Sequence, residues 1–454
     1  MHRRQLDPKV SVSIVFVAAM FMSIMDGTIV NVALPSIGRQ LNVPSTSIDA
    51  VVVAYLVSLA VVIPASGWLG DRWGTRRIFL LALVFFTGAS ALCGLAGDFT
   101  LLVLFRFLQG AAGGALAPVG TAMLYRTFPP AQRVRVSSIL IIPTVIAPAT
   151  GPVLGGFLVD QLSWRWVFFV NVPIGIATCL FGLLFLQEHR EPQAGRFDLP
   201  GFLLAGIGLA LALYALSEGP TRGWNSPTVL SSAVGGLFLL AAFVLVELRI
   251  REPLLDLRLL DDRLFRATNL VSLFSSAGFL GVLFVAPLFL QEGLGVSPLT
   301  SGLTTFPEAL GVVFSTQIVA RLYPKVGPRR LIAGGLIGVA IMMALLSLMG
   351  ASTSLWLMRI LMFLIGAGMA YSFLPVQAAA FATISPASTG RASAFYNAQR
   401  QLGAALGVAV LGEVISFVGP TRLGATGAML PNLTAYHAAF LSAAVLALLG
   451  AGTA

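Results

Sequence analysis

One pattern runs from end to end of this chain: an apolar stretch of about 20 residues, then a short loop carrying arginine. A helix of about 20 residues crosses the ~30 Å hydrocarbon core of a bilayer. An open strand or irregular segment there would leave backbone N–H and C=O groups without partners. The pattern therefore predicts an all-α, polytopic membrane protein. Composition agrees, with 57% apolar and only 10% charged residues in 454, where soluble domains are roughly a quarter charged. The mean hydropathy is +0.91.

Hydropathy places fourteen spans, at 11–33, 48–68, 78–97, 101–124, 136–159, 166–187, 198–217, 228–248, 267–291, 299–320, 330–349, 354–378, 391–415 and 433–454. The N-terminal segment holds Arg3, Arg4 and Lys9, and the apolar run after it outlasts a signal peptide and shows no small-residue cleavage site. An uncleaved first span with a cytoplasmic N-terminus is expected. Alternating the loops from there puts Arg39, Arg165, Arg222 and Arg422 outside and Arg106, Arg359 and Arg400 within spans. The other cations fall inside, including Arg72/Arg76/Arg77, Arg249/Arg251/Arg258/Arg263/Arg266 and Arg321/Lys325/Arg329/Arg330. The positive-inside rule asks for that asymmetry, and thirteen spans would destroy it.

The net charge of +10 does not indicate nucleic-acid binding, because the basic residues are dispersed among these loops. Only Lys9 and Lys325 of the 28 basic residues are lysine; with abundant Ala, Gly and Leu, this bias is compatible with a GC-rich bacterial genome. The two cysteines, Cys93 and Cys179, lie in apolar runs, so neither a disulfide framework nor a metal site is expected.

The chain also repeats itself. Leu69-Gly70-Asp71-Arg72-Trp73-Gly74-Thr75-Arg76-Arg77 returns as Leu322-Tyr323-Pro324-Lys325-Val326-Gly327-Pro328-Arg329-Arg330, an offset of 253 residues from Arg77 to Arg330. The same offset carries Arg106 to Arg359 and Gly113 to Gly366. Spans 1–6 then correspond to spans 9–14, with spans 7 and 8 inserted. An even number of spans per repeat gives both halves the same orientation, the parallel-repeat plan of transporters with a midplane site between halves. The expected division is a six-helix bundle over 1–190, the two inserted helices over 191–262, and a second six-helix bundle over 263–454.

Charges within spans cost at least a few kcal/mol each and are functional candidates by default. Asp26 sits ~22 Å along span 1 and Arg106 ~8 Å into span 4 from the other face, at overlapping depths. An ion pair or water-bridged contact between them would work as a proton switch; alternatively, Asp26 only neutralises Arg106. Glu308, after Pro307 in span 10, has Tyr55 as its repeat partner, so its carboxylate is no relic of duplication. It could carry a proton or neutralise a cationic substrate. Asp26 is a substrate-binding candidate alongside Glu308, and Glu413, near the outer end of span 13, is a weaker one. Glu292 and Asp49 fall at span ends and read as solvated, whereas Arg359 and Arg400 read as structural, Arg359 as a staple equivalent to Arg106. Gly110–Ala115 and Gly151-Pro152-Val153-Leu154-Gly155-Gly156 give smooth faces for close helix packing, and the Gly-Pro pair permits a bend.

Both lysines follow proline, so no Gly-Lys-Ser/Thr phosphate loop exists and ATP is not the expected energy source. His2, His189 and His437 cannot form a His-x-x-x-His zinc site. No long soluble segment is present to host a catalytic domain. Enzyme, metal and cofactor readings are therefore disfavoured.

Several motifs carry a family resemblance. Gly67-Trp68-Leu69-Gly70-Asp71-Arg72-Trp73-Gly74-Thr75-Arg76-Arg77 resembles the loop 2–3 motif of the major facilitator superfamily. Arg106 with Gln109-Gly110 is similar to its span 4 motif, and Gly151-Pro152-x-x-Gly155-Gly156 to the span 5 motif of its exporters, although the upstream glycines stand here as Ala147 and Ser138. Asp26-Gly27-Thr28-Ile29-Val30-Asn31-Val32-Ala33-Leu34-Pro35 and Trp164-Arg165-Trp166-Val167-Phe168-Phe169-Val170-Asn171-Val172-Pro173 resemble its fourteen-span drug:proton antiporter branch.

The resemblance implies a major-facilitator fold, a role for Arg106 in proton coupling, and a cytoplasmic gate at Asp71 shaped by Arg72, Arg76 and Arg77, with Gly151, Pro152 and Gly155 as hinge elements. It implies export of lipophilic, cationic or neutral compounds across a bacterial cytoplasmic membrane by a monomer. No cofactor is implied beyond a proton gradient acting through Asp26, Arg106 and Glu308, and the partners are small substrates, protons and lipid. Two other readings stay open: a dedicated exporter of one endogenous metabolite, antibiotic or lipid, and a non-transporting receptor or scaffold.

Overall fold

The computed structural model describes residues 6–42, 48, 50–129, 132–191, 195–250, 253–419, 421–423 and 429–454. Asp49, Arg251 and the N-terminal cations Arg3 and Arg4 lie outside them. The described chain is helical apart from one small hairpin. In order, the helices are α1 (Pro8–Leu41), α2 (Ala50–Trp73), α3 (Thr75–Leu95), α4 (Phe99–Thr127), α5 (Arg133–Gln161), α6 (Trp166–Phe169), α7 (Asn171–Phe185), α8 (Leu199–Arg222) and α9 (Pro227–Glu247). They continue as α10 (Arg263–Leu288), α11 (Pro298–Thr305), α12 (Pro307–Val326), α13 (Pro328–Leu346), α14 (Leu355–Ala380), α15 (Thr389–Val418) and α16 (Leu433–Thr453). The hairpin pairs β1 (Thr421–Leu423) with β2 (Met429–Pro431) and was not expected from the sequence.

Thirteen helical spans among the described residues are long and apolar enough to cross a bilayer. The protein is therefore a multi-pass membrane protein. The 29-residue α5 is a further helix of crossing length; counting it as a span restores the expected fourteen. Large apolar side chains such as Phe85, Phe238 and Phe417 are 66%, 71% and 89% exposed. Only lipid can cover them without cost.

Local chemistry explains where the helices begin. Asp7 accepts from the Lys9 N–H at 2.9 Å with Pro8 at the first helical position, and Asp98 and Asp262 cap α4 and α10 through Leu101 and Phe265. Between α2 and α3 the chain turns on Gly74 (φ 105°), and between α12 and α13 on Gly327 (φ 81°), a conformation that favours glycine. These two turns are 253 residues apart, the repeat offset. Two expected spans are broken: the sixth at Val170, between α6 and α7, and the tenth at Phe306-Pro307, between α11 and α12.

Packing follows the repeat as well. α2 packs on α4 and α12 on α14, α3 on α4 and α13 on α14, α3 on α7 and α13 on α16, and α1 on α7 and α10 on α16. The contacts divide the chain into two compact units. The first comprises Met1–Ala215, Leu230–Asp261 and Phe381–Ala398; the second comprises Leu216–Val229, Asp262–Ala380 and Gln399–Ala454. This partition cuts across the three-part division drawn from the repeat, because contacts follow helix neighbours rather than duplication boundaries. Inserted helices α8 and α9 contribute Ala205 and Phe243 to one cluster with Leu255 and Ala394. Segment 381–398 joins the first unit through Tyr125 stacking on Phe381 at 4.3 Å and through Ser393 Oγ donating to the Pro118 carbonyl at 2.7 Å.

Candidate functional site

Helices α1, α2, α3, α4 and α7 of the first unit bring polar side chains to one dry point. Both oxygens of the Asp26 carboxylate are occupied: Oδ2 accepts from Arg106 Nη1 at 2.5 Å, and Oδ1 accepts from Gln109 Nε2 at 2.9 Å and Asn171 Nδ2 at 2.7 Å. Arg106 Nη1 also donates to Gln109 Oε1 at 2.9 Å, its Nε donates to the Val51 carbonyl at 3.2 Å, and the guanidinium lies 4.2 Å over the Tyr55 ring. Asn171 further donates to Ser90 Oγ at 3.0 Å, which donates to the Phe168 carbonyl at 2.9 Å. Asp26, Arg106, Gln109 and Asn171 are each 0% exposed.

Glycine makes this approach possible. A Cβ at Gly110 would collide with the Tyr55 carbonyl, and one at Gly113 would come 3.2 Å from the Tyr55 hydroxyl, so α4 lies close enough to α2 for Arg106 to reach Val51. On the other flank, a Cβ at Gly151 would strike Thr28 Oγ1, and one at Gly155 would come 2.9 Å from Ile29 Cγ1. Helix α5 thus seats the turn of α1 that carries Asp26. The side chain of Pro152 lies outside the described residues.

An uncompensated charge in such a core costs several kcal/mol, whereas a pair with all its hydrogen bonds made is tolerated. The expected Asp26–Arg106 meeting is thus a direct ion pair, with Asp26 Oδ1 accepting two hydrogen bonds and Oδ2 one. Sequence reasoning did not single out Asn171, Ser90 and Tyr55 as members. The available signal was an uncharged polar residue inside an apolar run, and such residues are common.

Asp71, at the end of α2, accepts from Arg126 Nη2 at 2.7 Å, with both side chains almost fully buried. A Cβ at Gly390, in the first turn of α15, would sit 2.5 Å from Asp71 Oδ1, so the carboxylate abuts a helix N-terminus, where negative charge is favoured. Arg76 and Arg77 are engaged elsewhere: Arg77 faces Glu188 at 3.6 Å, and Arg76 donates to Glu188 Oε1 through its backbone at 3.1 Å and to the Leu183 carbonyl at 2.6 Å. Arg72 is exposed. Arg126 was read only as a topological charge. In the linker after α7, His189 is held below the ordinary histidine range, by burial first and then by Arg126.

In the second unit, Glu308 follows Pro307 in the first turn of α12, is 6% exposed, and has no hydrogen-bond partner for Oε1 among the described residues. Glu413 accepts from the Trp224 indole N–H, tying the α8–α9 loop to α15. Glu292 is exposed and accepts from the Tyr436 hydroxyl at 3.1 Å. Arg359 stacks over Trp356 of its own helix at 4.6 Å rather than stapling helices as Arg106 does; its repeat partner's acid, Asp26, corresponds here to Phe279. Among the described residues no group of three or more His, Cys, Asp or Glu could hold a metal ion.

The Major Facilitator Superfamily profile matches residues 16–408 and again residues 268–453, the second match overlying the second repeat. The "Multidrug resistance protein B homolog" of Mycobacterium tuberculosis is 33% identical over 408 residues, covering 89% of this chain and 75% of that protein. The "Puromycin resistance protein pur8" of Streptomyces alboniger is 36% identical over 424 residues, covering 92% and 83%. Among solved structures, the human organic anion transporter MFSD10 superposes with a TM-score of 0.68 at 18% identity, covering 99% of this chain and 100% of that one. The proton:xylose symporter XylE superposes with 0.65 at 16% identity, covering 97% and 94%. With its repeat, its helical packing and a profile match across nearly its whole length, this chain belongs to the major facilitator superfamily.

Proposed function

We propose that the protein is a proton-driven antiporter that exports lipophilic, cationic or neutral compounds from the cytoplasm of a bacterium by alternating access, with its N-terminus cytoplasmic. The observation that carries this reading is the fully buried Asp26–Arg106 pair, in a chain whose relatives bear drug-resistance names. A proton arriving on Asp26 would neutralise the carboxylate and leave Arg106 charged in a core without a counter-ion. That state is costly where it is dry, so protonation favours a conformation in which Arg106 meets water. Loss of the proton on the other side restores the pair. Such a cycle needs a charge pair with no other neutralising group, and among the described residues no second acid hydrogen-bonds to Arg106.

Glu308 is assigned to cationic substrates: a buried carboxylate oxygen without a donor is an open acceptor. Asp71 with Arg126, against the first turn of α15, is assigned to holding the cytoplasmic side closed, with Arg76 and Arg77 fixing the start of α3.

A narrower reading, export of a single compound, is favoured by the one-antibiotic name of the Streptomyces relative. Reconstitution in liposomes loaded with a pH-sensitive dye distinguishes them. Under an imposed proton gradient, a lipophilic cation should trigger proton movement that vanishes in Asp26→Asn. Absence of proton movement with every cation tested overturns the cation:proton reading and favours a dedicated exporter of a neutral product.

A further inference from the structure

The two repeats part ways at the start of α13. In the first repeat the Arg76-Arg77 pair is engaged: Arg77 faces Glu188 at 3.6 Å, and Arg76 donates to the Leu183 carbonyl. The matching cations 253 residues on, Arg329 and Arg330, are exposed and have no ion pair or hydrogen bond among the described residues. One turn further, the exposed flank of α3 carries Leu81 and Phe85, 52% and 66% exposed. At the same offset α13 carries Gly334 and Gly338, and a Cβ added at either meets nothing within 4 Å. The second repeat has thus lost a counter-ion and two large side chains on one side of one helix.

What these losses leave is a groove of about 440 Å³ between α13 and α14. Its polar end holds Arg330 and Tyr371; its far end is lined by Met342 and Leu364. The Tyr371 hydroxyl has no hydrogen bond among the described residues. From Arg330 to Met342 the groove follows α13 for ~18 Å, close to half the thickness of a bilayer core. Ile337 and Ile341 of α13 and Leu364 of α14 are 45%, 51% and 42% exposed, so the groove opens on an apolar face of the kind that lipid covers.

We propose that this groove binds one anionic phospholipid, its phosphate on the Arg330 guanidinium and the Tyr371 hydroxyl and an acyl chain along Gly334 and Gly338. An unpaired arginine at the end of an apolar, leaflet-length channel complements an anionic headgroup with its chain. A drug-sized cation is repelled from the Arg330 end. A free anion gains nothing from the apolar length.

The test uses the full chain in nanodiscs of zwitterionic phosphatidylcholine, titrated with phosphatidylglycerol and read by native mass spectrometry and thermal unfolding. Wild type should retain phosphatidylglycerol and gain thermal stability from it. Arg330→Gln should retain it about fivefold less well. The pair Gly334→Leu and Gly338→Phe reinstates the first-repeat residues in open space, so it should fold normally and lose retention. The proposal is overturned if the glycine variants retain phosphatidylglycerol like wild type. It is equally overturned if phosphatidylcholine stabilises as much, or if inorganic phosphate alone does. A fall in oligomeric mass in the glycine variants would identify a second copy of the chain as the occupant and also overturn it.

Discussion

Asp26 and Arg106 meet at 2.5 Å with neither side chain exposed, and among the described residues each is the other's only ion-pair partner. Breaking such a pair from one side leaves an uncompensated buried charge, at a cost of about 3–5 kcal/mol. Arg106→Ala should therefore lower the thermal midpoint sharply and abolish coupled transport. Asp26→Asn with Arg106→Gln should recover most of the stability, since the hydrogen bonds can be rebuilt between neutral groups, but none of the proton movement. If the double variant still couples, the proton is carried elsewhere.

Asn171 holds Asp26 Oδ1 at 2.7 Å and bridges it to Ser90. Removing it as Asn171→Leu strips one of the two donors on that oxygen, a loss of about 1–3 kcal/mol for a buried group. Asn171→Asp keeps the shape but sets a second carboxylate against the first. Transport assays should rank Asn171→Asp as the more damaging of the two, because like charges at that distance cannot both ionise in a dry core. Equal effects would reduce Asn171 to packing.

The all-helical, membrane-spanning architecture, the 253-residue repeat and the Asp26–Arg106 encounter were legible because charge and hydropathy encode them directly. A charged residue in an apolar run is rare enough to be noticed, and its depth follows from helical rise. Asn171 and Ser90 carry no charge and sit in runs that tolerate polar residues, so their part in the site emerges only from three-dimensional packing. Arg126 was hidden differently. It lies at a span end, where the positive-inside rule already accounts for an arginine, so its contact with Asp71 has no separate signature. The grouping of residues 381–398 with the first unit rests on stacking such as that of Tyr125 on Phe381, which repeat arithmetic does not encode.

The Asp71 carboxylate fills the space that a side chain at Gly390 would need. Gly390→Val should therefore push Asp71 off Arg126 and destabilise the protein by about 1–3 kcal/mol, as overpacking does. Arg126→Ala removes the buried partner instead of crowding it. Both should increase labelling of a cysteine introduced at Ser393, a residue that is 0% exposed and whose hydroxyl donates to the Pro118 carbonyl. Unchanged labelling in both would separate Asp71 from any closing function.

Glu308 presents the opposite situation to Asp26, because its Oε1 has no donor among the described residues. A buried acceptor left empty gains nothing from its charge, so Glu308→Gln should fold at least as well as the parent. Its effect should fall on substrate choice: lipophilic cations lose affinity while neutral compounds of the same size are exported as before. Gly366→Ala tests the same turn structurally, since its Cβ would strike the Glu308 carbonyl, and it should lower the thermal midpoint without sorting substrates by charge. Flux measured for one matched cation and neutral pair decides it. A uniform loss for both compounds in Glu308→Gln would place this carboxylate in the coupling step rather than in substrate selection.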